Sequence, residues 1–168
     1  MDLAKATDSV TQPGAKMYLG ENISDGVSGG DAVALMNEHL GVNATLTKYL
    51  SVDAAGNEVS TSQDGQAALN DLMAALATGK ATMVAYSVAI VWSAAWGYVP
   101  DEDTSYWSAD HAAVVTQVDL ENGVVYVNDS SAGYAGQETG RGMKVGLGAF
   151  MSGWQTANYA LTTVEARA

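Results

Sequence analysis

The chain has 168 residues, of which 48% are hydrophobic and 15% charged, and this balance predicts one folded domain over 1–168 rather than a disordered segment. Seven basic residues against 19 acidic ones give a formal charge of -12, which disfavours nucleic acid and anionic membrane surfaces as partners. The absence of cysteine excludes disulfides and thiolate metal sites, and no apolar run reaches the roughly 20 residues of a membrane span.

The N-terminal half carries the predicted helices. A short helix over 1–6 precedes a loop rich in glycine and serine, and apolar residues at helical spacing predict a helix over 31–40 that ends at Gly41. We predict a strand over 45–52 and a second clear helix over 66–77, closed by Gly79. The first residues lack the apolar stretch of a signal peptide, so the location stays open, and secretion is one alternative.

From residue 81 onward the sequence predicts mainly β-structure. The apolar run over 81–95 is predicted to be a buried strand that leads into Trp92 and Trp96. Residues rich in β-branching predict strands over 112–118 and 124–127, and Asn122-Gly123 predicts the hairpin turn between them. A last apolar strand is predicted over 159–164. Helices followed by an antiparallel sheet indicate an α+β fold.

His111 and Asp129 are the candidate catalytic residues. The predicted hairpin puts His111 at the start of one strand and Asp129 at the end of the other, and these two ends lie side by side. A carboxylate within hydrogen-bond reach of an imidazole fixes its tautomer and stabilises the imidazolium, as the orienting residue does in triad chemistry. The alternative interpretation is a satisfied structural pair.

Several ordered features around this pair resemble the C39-like family of papain-like cysteine peptidases. They are the helix over 69–80 with its Gly-Lys turn, the loop over 140–145, and Phe150 and Trp154 before the last strand. The resemblance covers residues 25–165 and implies a papain-like α+β fold with N-terminal helices packed on an antiparallel β-sheet. It also implies that His111 is the general base and that Asp129 orients it. The family's nucleophilic cysteine is absent.

Two alignments with that family account for the missing cysteine. In the first, 26–42 matches the family's second helical segment, so the nucleophile helix would precede Met1 and the chain would be a fragment, a shortened relative or a pseudoenzyme. In the second, Ser28-Gly29 takes the place of Cys-Gly, with Asn22 where the oxyanion-stabilising glutamine would be. We favour the first, because Gly41-Val42 leads through a variable loop to the helix at 69. Ser28 and Asp31 are then helix-capping residues.

The remaining motifs have simple interpretations. The acidic loop over 100–105 lacks the ligand spacing of a calcium site, so we predict a solvated loop, which could overhang the cleft because it comes just before His111. His39 beside Glu38 is predicted to be an exposed bystander, and no second histidine stands at ligand spacing from His111, so we predict no metal and no cofactor. The aromatic residues of this region are predicted to form core or cleft wall: Trp92, Trp96, Tyr98, Tyr106 and Trp107.

These observations predict a peptidase (hydrolase) fold that is inactive as this chain and that acts on or binds peptides in a papain-like cleft. The alternative is a non-catalytic module that binds a peptide or protein partner through the cleft or the acidic surface. The sequence leaves the oligomeric state open.

Overall fold

The computed structural model describes residues 2–18, 27–100 and 108–167, and these residues form an α+β protein, which confirms the predicted fold class. The chain divides into two compact units, Met1–Leu46 with Thr162–Ala168, and Thr47–Leu161. The single-domain organisation over 1–168 stays a prediction. Within the described ranges, no helix combines the length and the apolar character needed to cross a lipid bilayer.

The helices and strands follow one another in the order α1 (Asp2–Ala6), α2 (Gly29–His39), β1 (Val42–Thr47), β2 (Ser51–Val52), β3 (Glu58–Val59), α3 (Ser62–Ala77), β4 (Ala81–Tyr86), α4 (Val88–Trp96), β5 (His111–Asp119), β6 (Val124–Asn128), β7 (Met143–Gly146), α5 (Leu147–Gln155) and β8 (Leu161–Ala166).

The first unit contains α1, α2, and β1 beside β8. Helix α2 ends where predicted, because Gly41 has a φ of 64° and takes the left-handed conformation that glycine tolerates after a helix. The single strand predicted over 45–52 is wrong. Strand β1 ends at Thr47, and Ser51–Val52 forms a separate short strand that pairs with β3.

The second unit contains antiparallel strands in the order β4-β5-β6-β7, together with α3, α4 and α5. Helices α3 and α5 pack on β4, and α4 packs on α5 and β7. Alternate residues of the strands are buried in one core with Leu72, Phe150 and Trp154. Each fully buried valine, leucine or phenylalanine side chain contributes about 1.5–3 kcal/mol to the free energy of folding. The core strand residues are Val84, Tyr86, Ala113, Val115, Val125, Val127, Met143 and Val145.

The strand predicted over 81–95 is wrong beyond Tyr86. Strand β4 stops there, and α4 continues the apolar run until Gly97, whose φ of 67° ends the helix. Val88, Ala89, Val91 and Trp92 are all buried. A helix buried on most sides has no polar stripe, so its sequence lacks the periodicity that distinguishes a helix from a buried strand. The prediction of mainly β-structure after residue 81 fails again at α5, which precedes β8.

Candidate active site

The β5–β6 hairpin brings the two candidate residues together. Strand β5 begins at His111, and Asp129 directly follows β6. His111 Nε2 lies 3.0 Å from Asp129 Oδ1, which is a hydrogen-bond distance. The aspartate side chain is fully buried and 16% of the histidine side chain is exposed. The predicted hydrogen bond between these two side chains is therefore present.

A β-bulge at Thr116 puts both side chains on the same face of the sheet. Gln117 pairs with Tyr126, but Val115 pairs with Val127, so Thr116 is an extra residue in β5. Side chains alternate between faces along a strand, and one extra residue reverses the alternation beyond it. Without the bulge, His111 would point to the face opposite Asp129. The bulge is thus required for the pair.

Four donors surround the Asp129 carboxylate. Oδ1 accepts from His111 Nε2 and from the Ser131 backbone N–H at 2.7 Å. Oδ2 accepts from Trp92 Nε1 at 2.8 Å and from the Tyr86 hydroxyl. Buried charge is costly unless hydrogen bonds compensate it, and here both oxygens have two donors.

These hydrogen bonds keep Asp129 ionised. Burial raises the pKa of its carboxyl, but the hydrogen bonds from His111, Tyr86, Ser131 and Trp92 outweigh burial and lower the pKa to about 2. An ionised carboxylate only accepts hydrogen bonds, so Nε2 of His111 carries the proton. In the neutral ring, Nδ1 is then the acceptor. This is the tautomer in which Nδ1 can take a proton as a general base.

Strand β4 and helix α4 position the two aromatic donors. Tyr86 is the cross-strand partner of His111, and their ring centroids are 5.7 Å apart in an edge contact. Trp92 lies on α4 and makes a similar contact with His111 at 5.7 Å. Asp110 fixes the start of α4, because its Oδ1 accepts from the Val88 N–H at 2.9 Å, where Ser87 forms no side-chain cap.

The surroundings of Asp110 disfavour the charged form of its carboxyl group. Its Oδ2 is buried and has no hydrogen-bond partner among the residues that the structure describes, and burial raises the pKa of this carboxyl. A charge–charge interaction with His111 acts in the opposite direction. The carboxyl group of Asp110 therefore takes up a proton more readily than that of an ordinary aspartate.

The loop after β6 fixes the backbone of Asp129. Its N–H donates to the Gly140 carbonyl at 3.0 Å, and Gly142 N–H donates to Asn128 Oδ1 at 2.9 Å. A Cβ atom on Gly140 would lie 2.0 Å from the Asp129 carbonyl oxygen. Only glycine fits at this position without moving the backbone that carries the carboxylate.

Ser28 is the N-cap of α2, which confirms the capping interpretation. Its Oγ accepts from the Asp31 N–H at 3.2 Å and donates to Asp31 Oδ2 at 3.0 Å. Asp31 is buried, and it also accepts hydrogen bonds from Ser9, Val10 and Thr11. Burial raises the pKa of Asp31, but the hydrogen bonds from these residues and Ser28 outweigh it and lower the pKa.

The other predicted features lie in several places. His39 Nε2 lies 3.7 Å from Glu38 Oε2, and the described residues contain no group of three or more possible ligands that could hold a metal ion. Trp92 packs against Trp96 at 5.7 Å and Tyr98 at 5.6 Å. The remaining predicted residues lie outside the described ranges: Asn22, the acidic residues at 101–103, Tyr106 and Trp107.

An open depression of about 580 Å³ lies beside the loop after β6, and it contacts Asp129, Arg141 and the exposed side chain of Val114. His111 is not among the residues that line it. The predicted groove in front of the histidine therefore stays a prediction.

Sequence reasoning missed the donors Tyr86 and Trp92, the helix-capping Asp110, and the bulge. The first three lack a local signal, because their roles depend on contacts between residues distant along the chain. The bulge, in contrast, was indicated by the local sequence pattern. Thr116-Gln117 places two exposed polar residues between the apolar Val115 and Val118, which interrupts the alternation of a regular strand.

No protein-family model matches the chain. Uncharacterized proteins of Mycobacterium tuberculosis strain H37Rv and of Mycobacterium bovis are each 33% identical over an alignment of 169 positions that covers 96% of this chain. The chain spans 66% of the length of these relatives, just under two thirds. A crystal structure of a "putative C39-like peptidase" from Bacillus anthracis has a TM-score of 0.52 and 15% identity over 85% of this chain and 61% of that one. At this identity the similarity shows the fold alone, and this chain shares its α+β fold with that crystal structure.

Proposed function

We propose that this chain is a C39-like, papain-like protein that binds peptides beside His111 and does not hydrolyse them. The proposal is supported by the His111–Asp129 pair, in which Nε2 lies 3.0 Å from Oδ1, in a sequence with no cysteine. Each oxygen of the carboxylate accepts two hydrogen bonds. The base and its orienting residue are present, and the thiol that they would activate is absent.

The missing sulfur determines the chemistry. A papain-like peptidase forms an acyl-enzyme when a thiolate attacks the peptide carbonyl, and the histidine manages the protons. A serine hydroxyl is a much weaker nucleophile unless a base activates it. Ser28 donates its hydroxyl proton to Asp31 at 3.0 Å, so an alkoxide there would face a carboxylate. This charge repulsion opposes activation of Ser28.

The charge of the chain indicates the kind of peptide. With a formal charge of -12, the protein attracts cations and repels anions over the range of its electrostatic field. We therefore expect an unstructured, lysine-rich peptide to bind more tightly than an acidic peptide of the same length. Salt will weaken this preference, because it screens charges beyond about 10 Å at 0.1 M.

The test uses fluorescein-labelled unstructured peptides, one lysine-rich and one glutamate-rich, with fluorescence anisotropy for binding and mass spectrometry for cleavage. We expect saturable binding of the lysine-rich peptide, weakened at least about tenfold by His111→Ala, a loss that corresponds to ~1.4 kcal/mol. His39→Ala is the matched control and should bind as the unchanged protein does. Absence of binding would contradict the proposal. Cleavage that His111→Ala abolishes would instead support an active peptidase with another nucleophile.

A further inference from the structure

We propose that Tyr86 and Trp92 are positioning residues, which hold Asp129 so that His111 keeps its proton on Nε2 and presents Nδ1 as an acceptor. This inference rests on the proposed binding role of His111 and adds the chemistry by which the ligand is recognised. Both aromatic side chains donate to Oδ2, the carboxylate oxygen that His111 does not use.

Two donors on one oxygen fix the orientation of the whole carboxylate. A carboxylate with a single partner can rotate about its terminal torsion, which has a broad minimum. Here the Oδ2 donors come from β4 and α4, whereas the Oδ1 donors come from β5 and from the backbone of Ser131. Rotation of Asp129 would break hydrogen bonds to several separate elements at once. Oδ1 is therefore held toward Nε2.

The same two side chains also restrict the imidazole. The Tyr86 and Trp92 rings each contact the His111 ring at a centroid distance of 5.7 Å, with interplanar angles of 71° and 67°. These edge contacts are favourable geometries for aromatic rings. A flipped imidazole would lose the hydrogen bond to Asp129.

The fixed tautomer specifies the ligand group at Nδ1. A nitrogen that accepts hydrogen bonds recognises an N–H or O–H donor, and the commonest donor of an extended peptide is its backbone amide. We therefore infer that a peptide backbone N–H binds to Nδ1. A ligand that offers only acceptors there would not be held.

The experiment compares Tyr86→Phe and Trp92→Phe with two matched controls. Tyr49→Phe also removes a tyrosine hydroxyl that donates to an aspartate, at 2.7 Å from Asp71, and Trp154→Phe also removes a buried indole N–H, which donates to the Ala160 carbonyl at 2.8 Å. The ¹⁵N chemical shifts of the His111 ring at about pH 9 report the tautomer of the neutral ring. His39→Gln assigns the signals.

We expect His111 of the unchanged protein to carry its proton on Nε2. Tyr86→Phe and Trp92→Phe should each shift the tautomer ratio toward Nδ1–H by about fivefold, the effect of one hydrogen bond of ~1 kcal/mol. The controls should leave the ratio unchanged. A tautomer ratio that is unchanged in all four variants, or that shifts by the same factor in all four, would overturn the inference.

A measurement on the unchanged protein keeps the test decisive if a variant fails to fold. The Trp92 Nε1–H and the His111 Nε2–H should both exchange slowly with solvent, because each donates to a buried carboxylate. Fast exchange of both protons would overturn the inference. The proposed function fails separately, by absence of peptide binding, and a tautomer shift without peptide binding would leave Tyr86 and Trp92 as positioning residues of a site with another ligand.

Discussion

Replacing Asp129 by asparagine tests the energetics of the site. The pKa of Asp129 falls from its ordinary 3.8 to about 2 in the folded chain. A lowered folded pKa stabilises the protein above the unfolded pKa, and this contribution is lost as the pH falls from about 4 through about 2. The shift corresponds to about 2 kcal/mol, because one pKa unit is about 1.4 kcal/mol.

Asp129→Asn removes that contribution and leaves the two donors of one former carboxylate oxygen facing an amide NH2 group, which costs about 2 kcal/mol more. We therefore expect the free energy of unfolding of the variant to be about 4 kcal/mol lower at pH 7. The difference should narrow to about 2 kcal/mol near pH 2, because the unchanged protein loses its carboxylate there. Urea unfolding followed by far-UV circular dichroism measures both values.

The control is Asp71→Asn, which removes the exposed carboxylate that accepts from Tyr49. An exposed pair contributes about 1 kcal/mol or less. A stability difference for Asp129→Asn that is equal at pH 7 and near pH 2 would show, against this prediction, that ionisation of Asp129 contributes nothing to folding.

Three further variants test other parts of the structure by urea unfolding. Gly140→Ala should lower the free energy of unfolding by about 2 kcal/mol or more, because its Cβ clashes with the backbone, whereas Gly133→Ala in the same loop has open space and should cost far less. Asp110→Asn should raise stability at neutral pH, with a smaller gain near pH 4, because a raised folded pKa means that the native state loses stability as the carboxyl ionises. Loss of stability at neutral pH would contradict this. Ser28→Ala and the capping control Thr61→Ala should each cost about 1 kcal/mol and leave peptide affinity unchanged. A loss of affinity confined to Ser28→Ala would favour the alignment in which Ser28 replaces the nucleophile.

The sequence was sufficient for the parts of the fold that depend on local patterns. Alternation of apolar and polar residues, the Asn122-Gly123 turn and the capping residues predicted the hairpin, the main helices and the α+β class. The turn itself differs in detail, because only Gly123 has a positive φ, of 64°. Local chemistry also predicted the cap at Ser28.

The rest depends on contacts between distant residues. The run after Tyr86 forms a helix because its apolar residues are buried among α5 and β7, and a sequence window does not contain those elements. Two of the donors to Asp129, Tyr86 and Trp92, lie 43 and 37 residues earlier in the chain, so no spacing rule identifies them. The pair at His111 was predicted from the hairpin alone, although it requires the bulge at Thr116.

Peptide binding at His111 can be followed by titrating ¹⁵N-labelled protein with the unstructured lysine-rich peptide and recording the His111 ring signals. We expect a saturable shift of the Nδ1 signal with Nε2 still protonated, and an intact peptide by mass spectrometry at the end of the titration. A peptide that binds without changing the His111 signals, or that is cleaved during the titration, would show that the proposed function is wrong.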